Sequence, residues 1–174
     1  MVKNPRIVIL RGKPTSGKST AFQSLRNNPK MKGWIFVDHP ALKRWFEKVN
    51  TEQGIGEVMK KSLYSALNEL FITSKNIIME ETARETLLKY SGDKIKKYNY
   101  QIIIFQFEVD LKNSKIRDVI RVSKKEGIHT KVLGSRLKTL HQMHNERFDP
   151  KAILIDTNKL NKKQVVNLIL NKIS

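Results

Sequence analysis

Runs of β-branched and aromatic residues alternate along the chain with stretches of helical period. Arg6 to Leu10 is a short apolar run followed at once by a glycine-bearing loop, the pattern of a buried strand. From Ser19 to Leu25, Ala21, Phe22 and Leu25 recur at helical spacing. Gly33 to Val37 is a second apolar run ending at Asp38, and Pro40 then opens a helix with Leu42, Trp45 and Phe46 on its inner face. Beyond Gly54 and Gly56, the residues Met59, Leu63, Leu67, Leu70 and Phe71 predict a long amphipathic helix. Asn76 to Met79 reads as a third strand running into Glu80 and Glu81. Thr82 and Glu85 have capping-box spacing ahead of Leu87, Leu88 and Ile95 at a helical period. Tyr100 to Phe107, with Ile102, Ile103 and Ile104, suits a strand covered on both faces.

The second half continues the alternation. Asn113 or Ser114 is placed to cap a helix carrying Ile116, Val119 and Ile120. Ser123 to His129 is polar, contains Gly127 and reads as a mobile loop. Leu133, Leu137, Leu140 and His144 form one helical stripe, which Pro150 ends. Ala152 to Ile155 is a fifth strand, and Val166, Ile169, Leu170 and Ile173 form a last amphipathic helix capped by Asn161. Strands alternating with helices predict an α/β fold, a parallel sheet with right-handed crossovers. No internal repeat or low-complexity tract interrupts it.

Composition narrows the class. A chain of 174 residues, 39% of them hydrophobic, can bury a core and reads as a single domain over residues 1–174. Lys and Arg number 34 against 16 Asp and Glu, a net charge of +18. That excess excludes an acidic calcium buffer and favours a phosphate-rich partner, although a lysine-rich face is also simply a hydrated one. The absence of cysteine excludes a disulfide scaffold, a thiolate nucleophile and Cys-based zinc sites. No apolar stretch approaches the ~18–20 residues of a membrane span. The first residues, with Lys3, Asn4 and Arg6, do not read as a signal peptide. The expectation is a soluble cytoplasmic protein without a membrane partner.

The chemistry concentrates between the first strand and the first helix. Gly12, Lys13, Pro14, Thr15, Ser16, Gly17, Lys18 and Ser19 match G-x-x-x-x-G-K-[ST], followed by Thr20. Glycines let the backbone curl so that successive N–H groups point at phosphate oxygens. The helix that follows adds the positive end of its dipole. Lys18 supplies a charge for the β- and γ-phosphates, and Ser19 a hydroxyl for Mg²⁺.

Phosphoryl transfer needs further groups at the carboxyl ends of neighbouring strands. Asp38 closes the second strand and is a candidate general base; as the residue before His39 and Pro40 it also suits a helix N-cap. Glu80 and Glu81 close the third strand on opposite faces, so at most one faces the phosphates, holding a metal-bound water or touching the acceptor; the alternative is that Glu81 only favours the N-terminus of the next helix. Arg117 and Arg121, spaced i, i+4, share a helix face ahead of the mobile loop and suit a closing lid that neutralises the transferred group; a solvated face is the alternative. Arg136 is a weaker third candidate. His141 and His144 have H-x-x-H spacing without a third ligand in pattern, and His144 reads as a packed histidine. Trp34, Trp45 and Phe46 read as core rather than as a base-stacking platform.

With these residues in place, the chain resembles the small P-loop kinases typified by the kinase domain of bacteriophage polynucleotide 5′-hydroxyl kinase, with zeta-toxin-like kinases, chloramphenicol phosphotransferases and carrier seryl-tRNA kinases as neighbours. The resemblance spans residues 6–158. It rests on the loop from Gly12 to Thr20 including Pro14, on Asp38 after the second strand, and on Ile77 to Thr82. It rests also on the paired arginines Arg117 and Arg121, and on Ile153 to Thr157 as a last strand near the adenine. Two departures stand out: His39, Pro40, Ala41 and Leu42 occupy the turn where these kinases carry an arginine, and Glu81 stands where they have Asp. No D-x-D-G-T phosphatase motif and no guanine-reading N-K-x-D is present.

The resemblance implies a three-layer P-loop NTPase fold: a five-stranded, mainly parallel sheet with helices on both faces and a small helical lid near residues 113–131. It implies ATP and Mg²⁺ as cofactors, Asp38 as base, Lys18, Arg117 and Arg121 on the phosphoryl group, and Ser19 with Glu81, through water, at the metal. The expected activity is transfer of the ATP γ-phosphate to a polynucleotide 5′-hydroxyl, which makes a nucleic acid 5′ end the partner. The alternatives are a small-molecule kinase acting on a nucleoside, sugar nucleotide or antibiotic, and a regulatory module that hydrolyses ATP slowly.

Overall fold

The apolar runs become strands and the periodic stretches helices. A computed structural model of the chain describes residues 4–38, 55–80, 84–123, 133–146 and 149–174. In chain order these hold β1 (Arg6–Gly12), α1 (Lys18–Arg26), β2 (Ile35–Val37), α2 (Ile55–Phe71), β3 (Ile77–Glu80) and α3 (Arg84–Lys97). Then come β4 (Gln101–Glu108), α4 (Leu111–Ser123), α5 (Arg136–Glu146), β5 (Ile153–Asp156) and α6 (Lys162–Ile173). The expected helix from Pro40 to Phe46, the Thr82 cap, the loop after Ser123 and the candidate Glu81 lie outside the described residues.

The strands form one five-stranded parallel sheet in the order β2-β3-β1-β4-β5. Burial follows that order. Ile7 to Gly12 of β1, all of β3 and Ile104 to Phe107 of β4 are buried, as central strands covered on both sides require. The outer strands are mixed: Leu154 of β5 is 54% exposed while its neighbour Ile155 is fully buried. The chain divides into two compact units, Met1–Leu10 with Met31–Ile104, and Arg11–Lys30 with Phe105–Ser174.

In the first unit, β3 lies between the first half of β1 and β2, and α2 packs on α3. Tyr64 and Tyr90 stack between those helices at 5.0 Å, and Asn68 donates to the Tyr90 carbonyl. Along α3 the buried positions are Leu87, Ser91 and Ile95, a strict i, i+4 stripe, which leaves Leu88 44% exposed. In the second unit, α1 packs on α6 and α4 on α5. Asn161 caps α6 as expected, in a full capping box with Gln164.

Helix α4 departs from the expected pattern. Its cap is Asp110, whose carboxylate accepts the Asn113 N–H at 2.7 Å, so the helix starts before Asn113 and Ser114. Ile116, Val119 and Ile120 are 49%, 55% and 44% exposed, whereas Ser114 and Asp118 are fully buried. The inner face of α4 is polar because it meets polar groups: Ser114 faces the Pro14 carbonyl, Thr15 and His141, and Asp118 faces Arg121 and the Leu133 N–H.

Candidate active site

The loop from Gly12 to Gly17 turns through three left-handed residues: Gly12 at φ 140°, Thr15 at 57° and Gly17 at 87°. At Gly12 only glycine fits. A Cβ there would lie 2.1 Å from the carbonyl oxygen of Phe107 and 2.7 Å from its nitrogen. The loop is fastened to the end of β4 by Lys13 N–H donating to the Phe107 carbonyl and by an ion pair, Lys13 Nζ to Glu108 Oε2 at 2.6 Å. Gln106 Nε2 donates to the other oxygen of Glu108.

Helix α1 begins at Gly17, with no side-chain cap and no acidic residue in its first turn. Its first amide groups therefore face outward without an internal carboxylate, the electrostatic setting an anion favours. Ser19 and Thr20 are exposed at this end, and Ser16 is wholly buried beneath it. Lys18 is buried, and its ammonium donates to the carbonyl oxygens of Gly12 and Lys13, each at 2.9 Å. Thus Lys18 holds a positive charge inside the curl it belongs to. The donor set fits a polyphosphate: a loop curled through Gly12, Thr15 and Gly17, a helix start without a side-chain cap, and one lysine. Ser19 offers one hydroxyl to a cation. Among the described residues no group of three or more His, Asp or Glu side chains gathers to hold a metal.

Arg117 reaches the loop. Its Nη1 donates to Thr157 Oγ1 at 2.9 Å and to the Thr15 carbonyl at 3.4 Å, and its Nη2 donates to the Thr157 carbonyl at 2.6 Å. Thr157 is itself tied to β4, its N–H and hydroxyl both donating to the Glu108 carbonyl. Arg121, on the same face, is paired with the buried carboxylate of Asp118. The second oxygen of Asp118 accepts the Leu133 N–H at 2.6 Å, so one carboxylate holds both the arginine and the start of the next segment. Of the predicted site residues, the second unit thus brings together the loop, Lys18 and Arg117 and sets Arg121 on Asp118. Asp38 is half-buried just beyond β2, in the first unit; Glu80 ends β3, buried.

Some contributors were not apparent in the sequence. His141, not His144, is the buried histidine of α5. Its Nε2 lies 2.8 Å from Ser114 Oγ, which also lies 2.7 Å from Thr15 Oγ1 and 3.2 Å from the Pro14 carbonyl. Burial pushes the His141 imidazole below the usual histidine range, and the Lys13 ammonium adds to that. Glu108 and Asp118 were likewise missed. The signal for Asp118 was present: Ser114, Asp118 and Arg121 make a polar stripe at helical spacing. The Asn113 and Asn158 amides hold the Asp110 and Asp156 carboxyls below the usual carboxylate range.

No family model matches the chain, and no curated protein matches it significantly. Solved structures do. A candidate kinase from Chloroflexus aurantiacus j-10-fl is 13% identical, covering 99% of this chain and 98% of its own, with a TM-score of 0.70. The Pnkp1/Rnl/Hen1 RNA repair complex contains a chain 22% identical at a TM-score of 0.61; 87% of this chain is covered and about half, 48%, of that one. A gluconokinase from Sinorhizobium meliloti 1021 is 13% identical over 98% of this chain and 94% of its own, with a TM-score of 0.59. Among the described residues no helix is long and apolar enough to cross a membrane. At these identities the likeness is one of fold: the chain has the parallel α/β fold of P-loop kinases.

Proposed function

We propose that the chain is an ATP-dependent phosphotransferase acting on an acceptor hydroxyl, and that the acceptor is a polynucleotide 5′ end. The observation that carries this reading is the curled loop between β1 and α1, with its uncapped helix start and Lys18 drawn into it. ATP bound there would supply an activated γ-phosphoryl group, and Ser19 would offer its hydroxyl to a Mg²⁺ that neutralises phosphate charge. In this reading, Asp38 takes the proton of the acceptor hydroxyl as its oxygen bonds to the γ-phosphorus and the bond to the bridging oxygen of ADP breaks. Glu81 would hold the metal through a water. Lys18 stabilises the charge on the phosphates. Arg117 and Arg121 serve the transferring group, Arg121 by exchanging Asp118 for it. Residues 1–174 act as one kinase domain, with residues 113–131 as its lid.

The nucleic acid acceptor is supported by the net charge of +18 and by the likeness to the RNA repair chain. A small-molecule acceptor is the second reading, supported by the likeness to the gluconokinase. Incubation with γ-labelled ATP and a panel of 5′-hydroxyl RNA, 5′-hydroxyl DNA, nucleosides, gluconate and sugar nucleotides separates them. Label at a polynucleotide 5′ end, at an affinity that falls steeply with salt, is the expected result. Label on a small acceptor alone would transfer the assignment to the second reading. ATP hydrolysis without transfer to any acceptor would overturn both.

A further inference from the structure

Thr15 is the strained point of the phosphate loop. A β-branched residue at φ 57° sits in a region that glycine occupies freely and threonine does not. Such a conformation persists only where its surroundings impose it. Those surroundings are visible. The Thr15 hydroxyl donates to the Ser114 carbonyl at 3.1 Å and lies 2.7 Å from Ser114 Oγ, while the Thr15 carbonyl accepts from Arg117. Ser114 is fully buried and also faces the Pro14 carbonyl and His141 Nε2.

Ser114 Oγ has one hydrogen and three oxygen or nitrogen neighbours. If His141 Nε2 lacks a proton, that hydrogen is drawn to the imidazole, and the Pro14 carbonyl loses its donor. If Nε2 carries the proton, it donates to Ser114 Oγ, which is then free to donate to the Pro14 carbonyl. In the second arrangement the Thr15 hydrogen is shared between Ser114 Oγ and the Ser114 carbonyl, so that each of these contacts has a hydrogen in it. The full circuit therefore runs from His141 through Ser114 to Pro14 and Thr15.

We propose that Ser114 and His141 are positioning residues for the phosphate loop: as an Nε2–H donor, His141 orients the Ser114 hydroxyl, and Ser114 holds Thr15 in its left-handed conformation. This rests on the reading of the loop as a nucleotide site, and it places part of the binding determinant on α4 and α5, outside the motif. The loop grips ground state and transition state alike, so a slackened loop raises KM for ATP and leaves kcat nearly unchanged.

The test is a double-mutant cycle between Ser114→Ala and Thr15→Gly, read by calorimetric titration with ATP and Mg²⁺ and by steady-state kinetics. Ser114→Ala alone is expected to weaken ATP binding roughly tenfold. In the Thr15→Gly background the same change is expected to matter less than about twofold, because glycine holds the turn unaided. His141→Gln, which keeps a donor near the Nε2 position, is expected to bind ATP like wild type, and His141→Leu to resemble Ser114→Ala. Equal effects of Ser114→Ala in both backgrounds, or wild-type binding by His141→Leu, would overturn the proposal. Thermal melting of the four proteins without nucleotide reads the same coupling independently. If the wild-type chain bound no ATP, the nucleotide reading would fail, and non-additive melting temperatures would still support the positioning role while additive ones would sink it.

Discussion

The guanidinium of Arg117 clasps Thr157 at two points, Nη2 on its carbonyl at 2.6 Å and Nη1 on its hydroxyl at 2.9 Å. With its third bond to the Thr15 carbonyl, this side chain joins the loop between β1 and α1 to the end of β5. The planar fork is what permits this, since three acceptors in a fixed arrangement suit a guanidinium and not an ammonium. Arg117→Lys is therefore expected to behave like Arg117→Ala, losing phosphotransfer by ten- to a hundredfold. Steady-state kinetics of both variants check this; near-normal rates with lysine would reduce the role of Arg117 to charge alone.

Gly12 admits no side chain. Its missing Cβ would collide with the backbone of Phe107 in β4, which cannot swing aside as a flexible side chain can. Gly12→Ala is expected to destabilise the fold by about 3 kcal/mol and to abolish ATP binding. Chemical denaturation with a two-state fit measures the first, and titration with ATP the second.

Acid is expected to destabilise the protein through His141. Its folded pKa is depressed, chiefly by burial and then by Lys13, with Glu108 and Asp110 opposing. The unfolded chain therefore binds a proton that the folded chain resists. Stability is expected to fall as pH drops below the ordinary histidine value of about 6.5 and to level off below the depressed folded pKa. His141→Gln removes that slope. Melting curves from pH 8 to pH 4.5 for both proteins decide the matter, and identical slopes would refute it.

Variants at Asp38 and Lys18 test the proposed catalytic roles of the two residues separately. Asp38→Asn is expected to lower transfer by about a hundredfold or more with ATP affinity near normal. Lys18→Ala is expected to abolish transfer in a folded protein, as judged by circular dichroism. An unchanged rate in Asp38→Asn would remove that carboxylate from the reaction.

The alternation of strands and helices could be read from the chain because each element carries its own period. Ile77 to Met79 and Ile102 to Phe105 are unbroken apolar runs because central parallel strands are covered twice. The curl between β1 and α1 was equally legible, since Gly12 and Gly17 answer a local demand, backbone that must turn at positive φ, and Lys18 is close in sequence to the carbonyl it reaches. Helix α6 follows the same logic, its Asn161 cap and Gln164 being neighbours in sequence as in space.

What periodicity could not supply was which face of α4 turns inward. The apolar residues Ile116, Val119 and Ile120 stay exposed, while Ser114 and Asp118 are buried, because the groups they meet belong to residues far along the chain. Thr15 lies 99 residues before Ser114, and that distance is closed only by folding. The same holds for the choice of His141 over His144, two residues of one helix distinguished solely by what packs opposite them. Local pattern decides where a helix or strand forms, because hydrogen bonding and side-chain period are short-range. Which polar group is buried, and what it holds in place, is decided by partners that only the tertiary structure brings within reach.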